Sequence, residues 1–228
     1  MKYFFPGILA AFVISWFVQI GIPYANLSRL EPVVDQDTNE PYPYDVSGLA
    51  QQGRAVYAAN GCVNCHTQHV RASYMGADVE RNWGTRQSVA RDYMYEDAVF
   101  LGSLRAGPDL SSVGARDLAK TKAEDLGSVE ARMKNAQWHF VHLYNPRIVQ
   151  PKSNMPAFPF LFETKKIKGE RSVKALDLPA QYAPATGYEI VPGPDAEKLV
   201  GYLLSLNKNH DLPEMKGAPA PAAVAKAP

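Results

Sequence analysis

From Tyr3 to Ala25 the chain carries no charged residue and reads YFFPGILAAFVISWFVQIGIPYA. As a helix rising about 1.5 Å per residue, the stretch reaches about 34 Å, slightly more than the hydrocarbon core of a bilayer. One membrane span is therefore expected, within an anchor over residues 1–30. Lys2 and the terminal amine precede it, whereas downstream Arg29 is outnumbered by Glu31, Asp35, Asp37 and Glu40. The positive-inside bias then puts the N-terminus in the cytoplasm and the rest of the chain across the membrane. A cleaved signal peptide is the competing reading, but the apolar run is longer than an ordinary h-region and no clear small-x-small site precedes Asn26.

Past the span the pattern changes. Glu31 to Leu49 holds five acids, no Lys or Arg, and Pro32, Pro41 and Pro43. Such a composition buries too little apolar surface for a core, so residues 31–45 read as an extended acidic, proline-rich linker. Helical periodicity then recurs three times. Ser47–Asn60 repeats Leu49, Gly53, Val56 and Tyr57 at three to four residues. A second helix, capped by Ser128, runs from Val129 to Tyr144 with Met133, Gln137, Phe140 and Tyr144 along one stripe, and stops at Asn145-Pro146. The third spans Asp195–Leu206 behind Pro194, with Leu199, Leu203 and Leu206 on one face. Elsewhere Gly and Pro interrupt the chain too often for long elements, and no sustained alternation predicts a sheet. Residues 46–211 thus form the expected folded domain, mainly α, and the Ala/Pro-rich stretch 212–228 an expected disordered tail.

Composition narrows the chemistry. Across 228 residues, 24 basic side chains balance 23 acidic ones for a net charge of +1, which leaves no electrostatic footprint for nucleic acid. Two cysteines cannot build a cross-linked secreted scaffold, so their value lies in their position. They stand in Gly61-Cys62-Val63-Asn64-Cys65-His66, a C-x-x-C-H sequence that is the attachment pattern of a c-type haem. The spacing has a geometric reason. Two thiols on one helical turn can each form a thioether to a porphyrin edge, and the next residue projects its imidazole under the iron. A redox disulfide would call for βαβ surroundings that this chain lacks, and a zinc site would need further ligands from His69, His139 or His142 with no recognisable pairing.

A sixth ligand, or an open position, must complete such an iron. Met75, Met94, Met133, Met155, Met215 and the remaining histidines are the candidates. Met155 stands out in Ser153-Asn154-Met155-Pro156-Ala157-Phe158-Pro159, where two prolines stiffen a loop able to present a thioether; a methionine filling a core gap is the ordinary alternative. His/Met ligation closes the site and predicts electron transfer in place of oxygen binding. Arg71 and Arg105 are candidate partners of haem propionates through their guanidinium forks, with a plain surface role as the alternative. His139 and His142, at i and i+3, look like a metal pair on one helical face, but one of them reads better as a surface or haem-edge residue.

Beyond the haem motif the chain resembles the membrane-anchored monohaem cytochrome c subunit, subunit II, of cbb3-type cytochrome c oxidases, from the N-terminal span to about Leu161. The resemblance is carried by Gly61 to Gln68 with Val70-Arg71, by Phe100-Leu-Gly-Ser-Leu-Arg-Ala-Gly-Pro-Asp-Leu110, and by Leu143-Tyr-Asn-Pro-Arg147 leading to Pro151-Lys-Ser-Asn-Met-Pro-Ala-Phe158. It implies a class I cytochrome c-like all-α domain behind one transmembrane helix. It implies that Cys62 and Cys65 bind one haem c covalently, that His66 and Met155 are axial, and that the Pro108 carbonyl accepts the other ring N–H of His66. It also implies an inner-membrane protein with a periplasmic haem, partnered by a catalytic haem-copper subunit, further cytochrome c subunits and lipid. The chain departs from the family pattern at His69, where methionine is common, in a polar insertion around Ala119 to Asp125, and in a Lys-rich excursion from Glu163 to Pro192. The monohaem subunit of a nitric oxide reductase is the nearest alternative, and an open-iron gas sensor the alternative from another class.

Overall fold

The computed structural model describes residues 2–34, 39–46, 48–119 and 129–215, with the backbone alone for 117–119 and 129–134. The cap expected at Ser128, most of the polar insertion and the tail beyond residue 215 lie outside these residues, as does the side chain of Met133. The chain is mostly helical with little sheet, as the periodicity predicts.

The apolar N-terminus is helical without a break from Phe4 to Leu27. It comprises α1 (Phe4–Trp16), a π turn at Phe17–Gly21 and α2 (Ile22–Leu27). Pro23 explains the π turn. A proline ring collides with the carbonyl four residues back, and a widened turn ahead of it makes room. With a mean hydropathy of 1.9 over its best window and no buried residue, this helix is long and apolar enough to cross a membrane.

The described residues form two compact units. The first joins Met1–Tyr44 to Val89–Asp97. Within the stretch expected to be a plain linker, β1 (Val33–Val34) pairs antiparallel with β2 (Pro41–Tyr42). Tyr42 is buried, and its hydroxyl donates to Asp92 Oδ1 at 2.7 Å. Asp92 in turn accepts from the Val89 amide at 2.8 Å, and Arg91 donates to the Glu31 carbonyl. Local polar pairing, absent from a composition count, gives this segment its structure.

The second unit joins Asp45–Ser88 to Ala98–Pro228. Its helices are α3 (Gly48–Ala59), the single turn α4 (Cys62–Cys65), α5 (Val113–Ala119), α6 (Val129–Tyr144) and α7 (Pro194–Ser205). On α7, Ala196, Leu199, Val200 and Leu203 are buried at the spacing of one helical face. They meet Tyr57 of α3, Val113 of α5 and Leu143 of α6 in the main core. The α3–α7 crossing is close enough that a Cβ on Gly53 would fall 1.9 Å from the Lys198 carbonyl oxygen, so only glycine fits there.

The Lys-rich excursion holds a hairpin that alternation does not predict. There β3 (Phe162–Lys166) pairs antiparallel with β4 (Tyr188–Pro192), with Thr164 opposite Ile190. The reason is burial. Glu189 to Pro192 are all covered while Glu163 to Lys166 are all exposed, so neither strand alternates. Buried Glu189 accepts from the Ser172 amide at 2.8 Å, and Ile190 packs with Val141 of α6 and Leu176 in a second cluster.

Candidate haem-binding site

Helix α3 ends at Ala59, and two residues later Gly61 turns the chain with φ +68°, a conformation that only glycine adopts without strain. This reversal starts α4, whose single turn carries both cysteines and delivers His66 at its end, with the His66 amide bonded to the Cys62 carbonyl at 2.9 Å. Both cysteines are free and partly buried. Burial pushes the Cys62 thiol up to about 11.

The His66 ring is seated with care. Its Nδ1 lies 2.9 Å from the Pro108 carbonyl oxygen. A carbonyl can only accept, so Nδ1 carries the proton and Nε2 keeps a free lone pair. Burial lowers the affinity of the ring for a second proton, against an opposing pull from that carbonyl, so the neutral imidazole is favoured. A Cβ on Gly107 would sit 2.2 Å from His66 Cε1, and one on Gly102 would sit 2.4 Å from the Val63 carbonyl oxygen. Two bare glycines therefore let the 100–110 segment lie against the cysteine turn.

The chain around His66 is held from several sides. Tyr57, almost wholly buried, donates its hydroxyl to the His66 carbonyl. Burial keeps that phenol protonated far above its ordinary range. Tyr202 donates to Gln68 Oε1 at 2.8 Å, and the Gln68 amide bonds the Phe100 carbonyl at 2.7 Å. Two fully buried carboxylates complete the frame. Asp109 accepts from Thr67, from the His69 amide at 2.8 Å, and from both the amide and hydroxyl of Ser111 at 2.9 and 2.6 Å. Asp78 accepts from Arg71 Nη2 at 2.8 Å and Arg105 Nη2 at 2.5 Å. Burial alone would raise the Asp78 carboxyl, but hydrogen bonds from Arg71 and the charge of both arginines outweigh it and hold the group below its usual range.

The two arginines singled out in the sequence are thus brought together, and what joins them is a buried aspartate. Arg105 also donates to Thr67 Oγ1 at 2.9 Å and to the His69 carbonyl at 3.2 Å. Neither Asp78 nor Asp109 carries a local signal of this role, because Arg105, which bonds the one, and Thr67, which bonds the other, lie far from them along the chain.

Met155 lies in the irregular segment after α6, half-buried against the same core cluster that Cys62 touches. Its amide bonds Ser153 Oγ at 3.2 Å, and the loop returns to α6 through the Phe158 amide on the Leu143 carbonyl at 2.9 Å. Met75 is instead exposed. His139 is buried, while His142 stacks on Trp138 with ring centroids 4.8 Å apart. Burial and the neighbouring His139 push His142 down to about 4. Among the described residues, no three His, Cys, Asp or Glu side chains gather as a metal site.

The donor set fits a c-type haem. Two thiols share a turn, one imidazole nitrogen is free, glycines clear the ring, and a thioether borders the same core. Compared with protein families, residues 3–183 match the one described as cytochrome C oxidase, mono-heme subunit/FixO, a match that runs past Leu161 into the Lys-rich excursion. No curated protein matches the chain significantly. With well over half of its length matched, the chain belongs to the FixO family, the monohaem subunit of cbb3-type cytochrome c oxidases.

Proposed function

We propose that this protein relays electrons on the periplasmic side of the inner membrane to the catalytic haem-copper subunit of a cbb3-type terminal oxidase. In this reading Cys62 and Cys65 would hold one haem c through thioethers, and His66 and Met155 would ligate its iron. When bound, the haem supplies a one-electron couple. The protein's own residues supply position. The thioethers would retain the cofactor, and the Pro108 carbonyl fixes the His66 tautomer so that Nε2 would be left to bind the iron. The thioether of Met155 would complete the ligation and keep exogenous ligands out. Arg71 and Arg105 serve the propionates with the donors left over from Asp78, which anchors both guanidinium groups.

The Phe4–Leu27 helix supports membrane anchoring. With its N-terminus in the cytoplasm, it holds the domain near its redox partners, the catalytic subunit and further cytochrome c subunits, and makes their encounter effectively intramolecular.

The observation that carries the reading is the His66 seat: an imidazole whose Nδ1 is taken and whose Nε2 is free, beside two cysteines and cleared by Gly107. Optical spectra of the detergent-purified complex test it, for the wild type and Met155→Ala, together with mass spectrometry of the co-purifying chains. The expected result is a low-spin c-type spectrum that becomes high-spin or carbon monoxide reactive in the variant, alongside a polytopic subunit. An unchanged variant spectrum removes Met155 from the iron, and a wild type without haem overturns the reading.

A further inference from the structure

The segment 107–111 runs beside 65–69 and is stitched to it at successive points. The Gly107 amide bonds the Cys65 carbonyl at 3.0 Å, the Pro108 carbonyl meets His66 Nδ1 at 2.9 Å, and the Leu110 amide bonds the Thr67 carbonyl at 2.8 Å. Asp109 is the residue whose side chain ties both segments. One carboxylate oxygen takes Thr67 Oγ1 and the His69 amide, and the other takes the amide and hydroxyl of Ser111. Its own carbonyl accepts from Arg116 Nη2 at 2.8 Å, and Arg105 Nη1 stands 4.0 Å from its carboxylate. Both ends of the residue are therefore fixed, and the peptide plane that carries the Pro108 carbonyl is attached directly to it.

A fully buried carboxylate with no water to fall back on is stable only when its lone pairs are filled. Here they are filled by four donors, two of them from the segment that follows His66. The Asp109 side chain can thus shift only if the segment after His66 shifts with it, and the Pro108 carbonyl keeps a constant place relative to the imidazole. An imidazole that donates to a well-placed acceptor is a more basic ligand, and partners of this kind tune a metal site strongly.

We propose that Asp109 is a positioning residue that fixes the Pro108 carbonyl against the His66 imidazole and thereby sets how strongly that imidazole donates to iron. The proposal rests on the reading of His66 as an axial ligand. It concerns position, so the charge of Asp109 and its geometry must be separated.

The test uses the full-length protein purified in detergent, with haem content, the ferric low-spin electron paramagnetic resonance signal and the reduction potential measured for three forms. Asp109→Asn turns an acceptor into a donor facing Thr67 and the His69 amide. Its ferric signal should shift, and its potential should rise by about tenfold in the oxidation equilibrium, or 59 mV for a one-electron couple. The double variant Thr67→Val, Ser111→Ala keeps the charge and removes two of the four bonds, and it should move both readouts the same way by a smaller amount. If Asp109→Asn does not accumulate, the double variant decides. Haem-replete variants with wild-type signal and potential overturn the proposal, as does a shift confined to Asp109→Asn, which would be charge alone. Absence of haem from the wild type overturns instead the underlying reading of the site.

Discussion

The two sides of the candidate haem site are built on different principles. On the histidine side every part is fastened: the His66 carbonyl by Tyr57, its ring by Pro108, the segment after it by Asp109, and its clearance by Gly102 and Gly107. On the methionine side the chain is an irregular loop that returns to α6 through the Phe158 amide, with Ser153 as a local brace. In the proposed reading, attachment and ligation share one turn, so an error there would displace everything, and rigidity is concentrated where it matters most. In the same reading the loop has only to bring one flexible thioether into reach, a task for which methionine is well suited.

That contrast can be broken most severely at Gly107. Gly107→Ala places a methyl 2.2 Å from the His66 ring, and we expect haem-stained protein on a denaturing gel to fall below about a tenth of wild type, since a misplacement of this size disrupts a preorganised site. A gel with wild-type staining would show the proximal side to be as adaptable as the loop. Tyr57→Phe comes next. It leaves a buried carbonyl unpaired and should lower stability in urea by about 1–3 kcal/mol.

Acid sharpens the comparison from the other side, because α6 leads into the methionine loop. His142 has its folded value pushed down to about 4, below the value near 6.5 that it takes when unfolded. Between these limits the unfolded chain binds the extra proton, so stability is full above about pH 6.5 and declines as pH falls towards 4. Partial exposure reduces the effect to about 1–2 kcal/mol. Urea midpoints at pH 7 and pH 4.5 should therefore differ less in His142→Asn than in wild type, and equal differences would remove His142 as the cause. Pro156→Ala should be the mildest, less than about 1 kcal/mol by the same denaturation, with thiol and histidine chemistry untouched. A loss as large as that of Tyr57→Phe would mean that the loop is as tightly specified as the proximal segment.

How much of this was legible in the sequence depended on the range of the interaction. The cysteine turn, the helix at Val129–Tyr144 and the apolar face of α7 arise from residues within a turn or two of one another, and spacing reveals them. The Met155 loop announced itself through two prolines. Asp78 and Asp109 did not, since nothing near either one foretells a partner such as Arg105 or Thr67 across a loop. The reason for glycine at 53, 102 and 107 is equally a matter of what approaches from elsewhere. The β3–β4 hairpin escaped because one strand is covered throughout and the other exposed, which erases the period of two. The short β1–β2 pair was hidden by an acidic composition, although Asp92 and Tyr42 make a polar tie that composition cannot register.

The crossing of α3 on α7 at Gly53 sets a clock for biogenesis. Helix α3 finds its partner in α7, far along the chain, so the core cannot close until α7 has been made, and non-local closure of this kind is slow to form. The cysteine turn, only a few residues after α3, emerges long before α7 does. Until α7 arrives it remains uncovered, and the order of the chain itself provides an interval in which Cys62, Cys65 and His66 stand open to a haem.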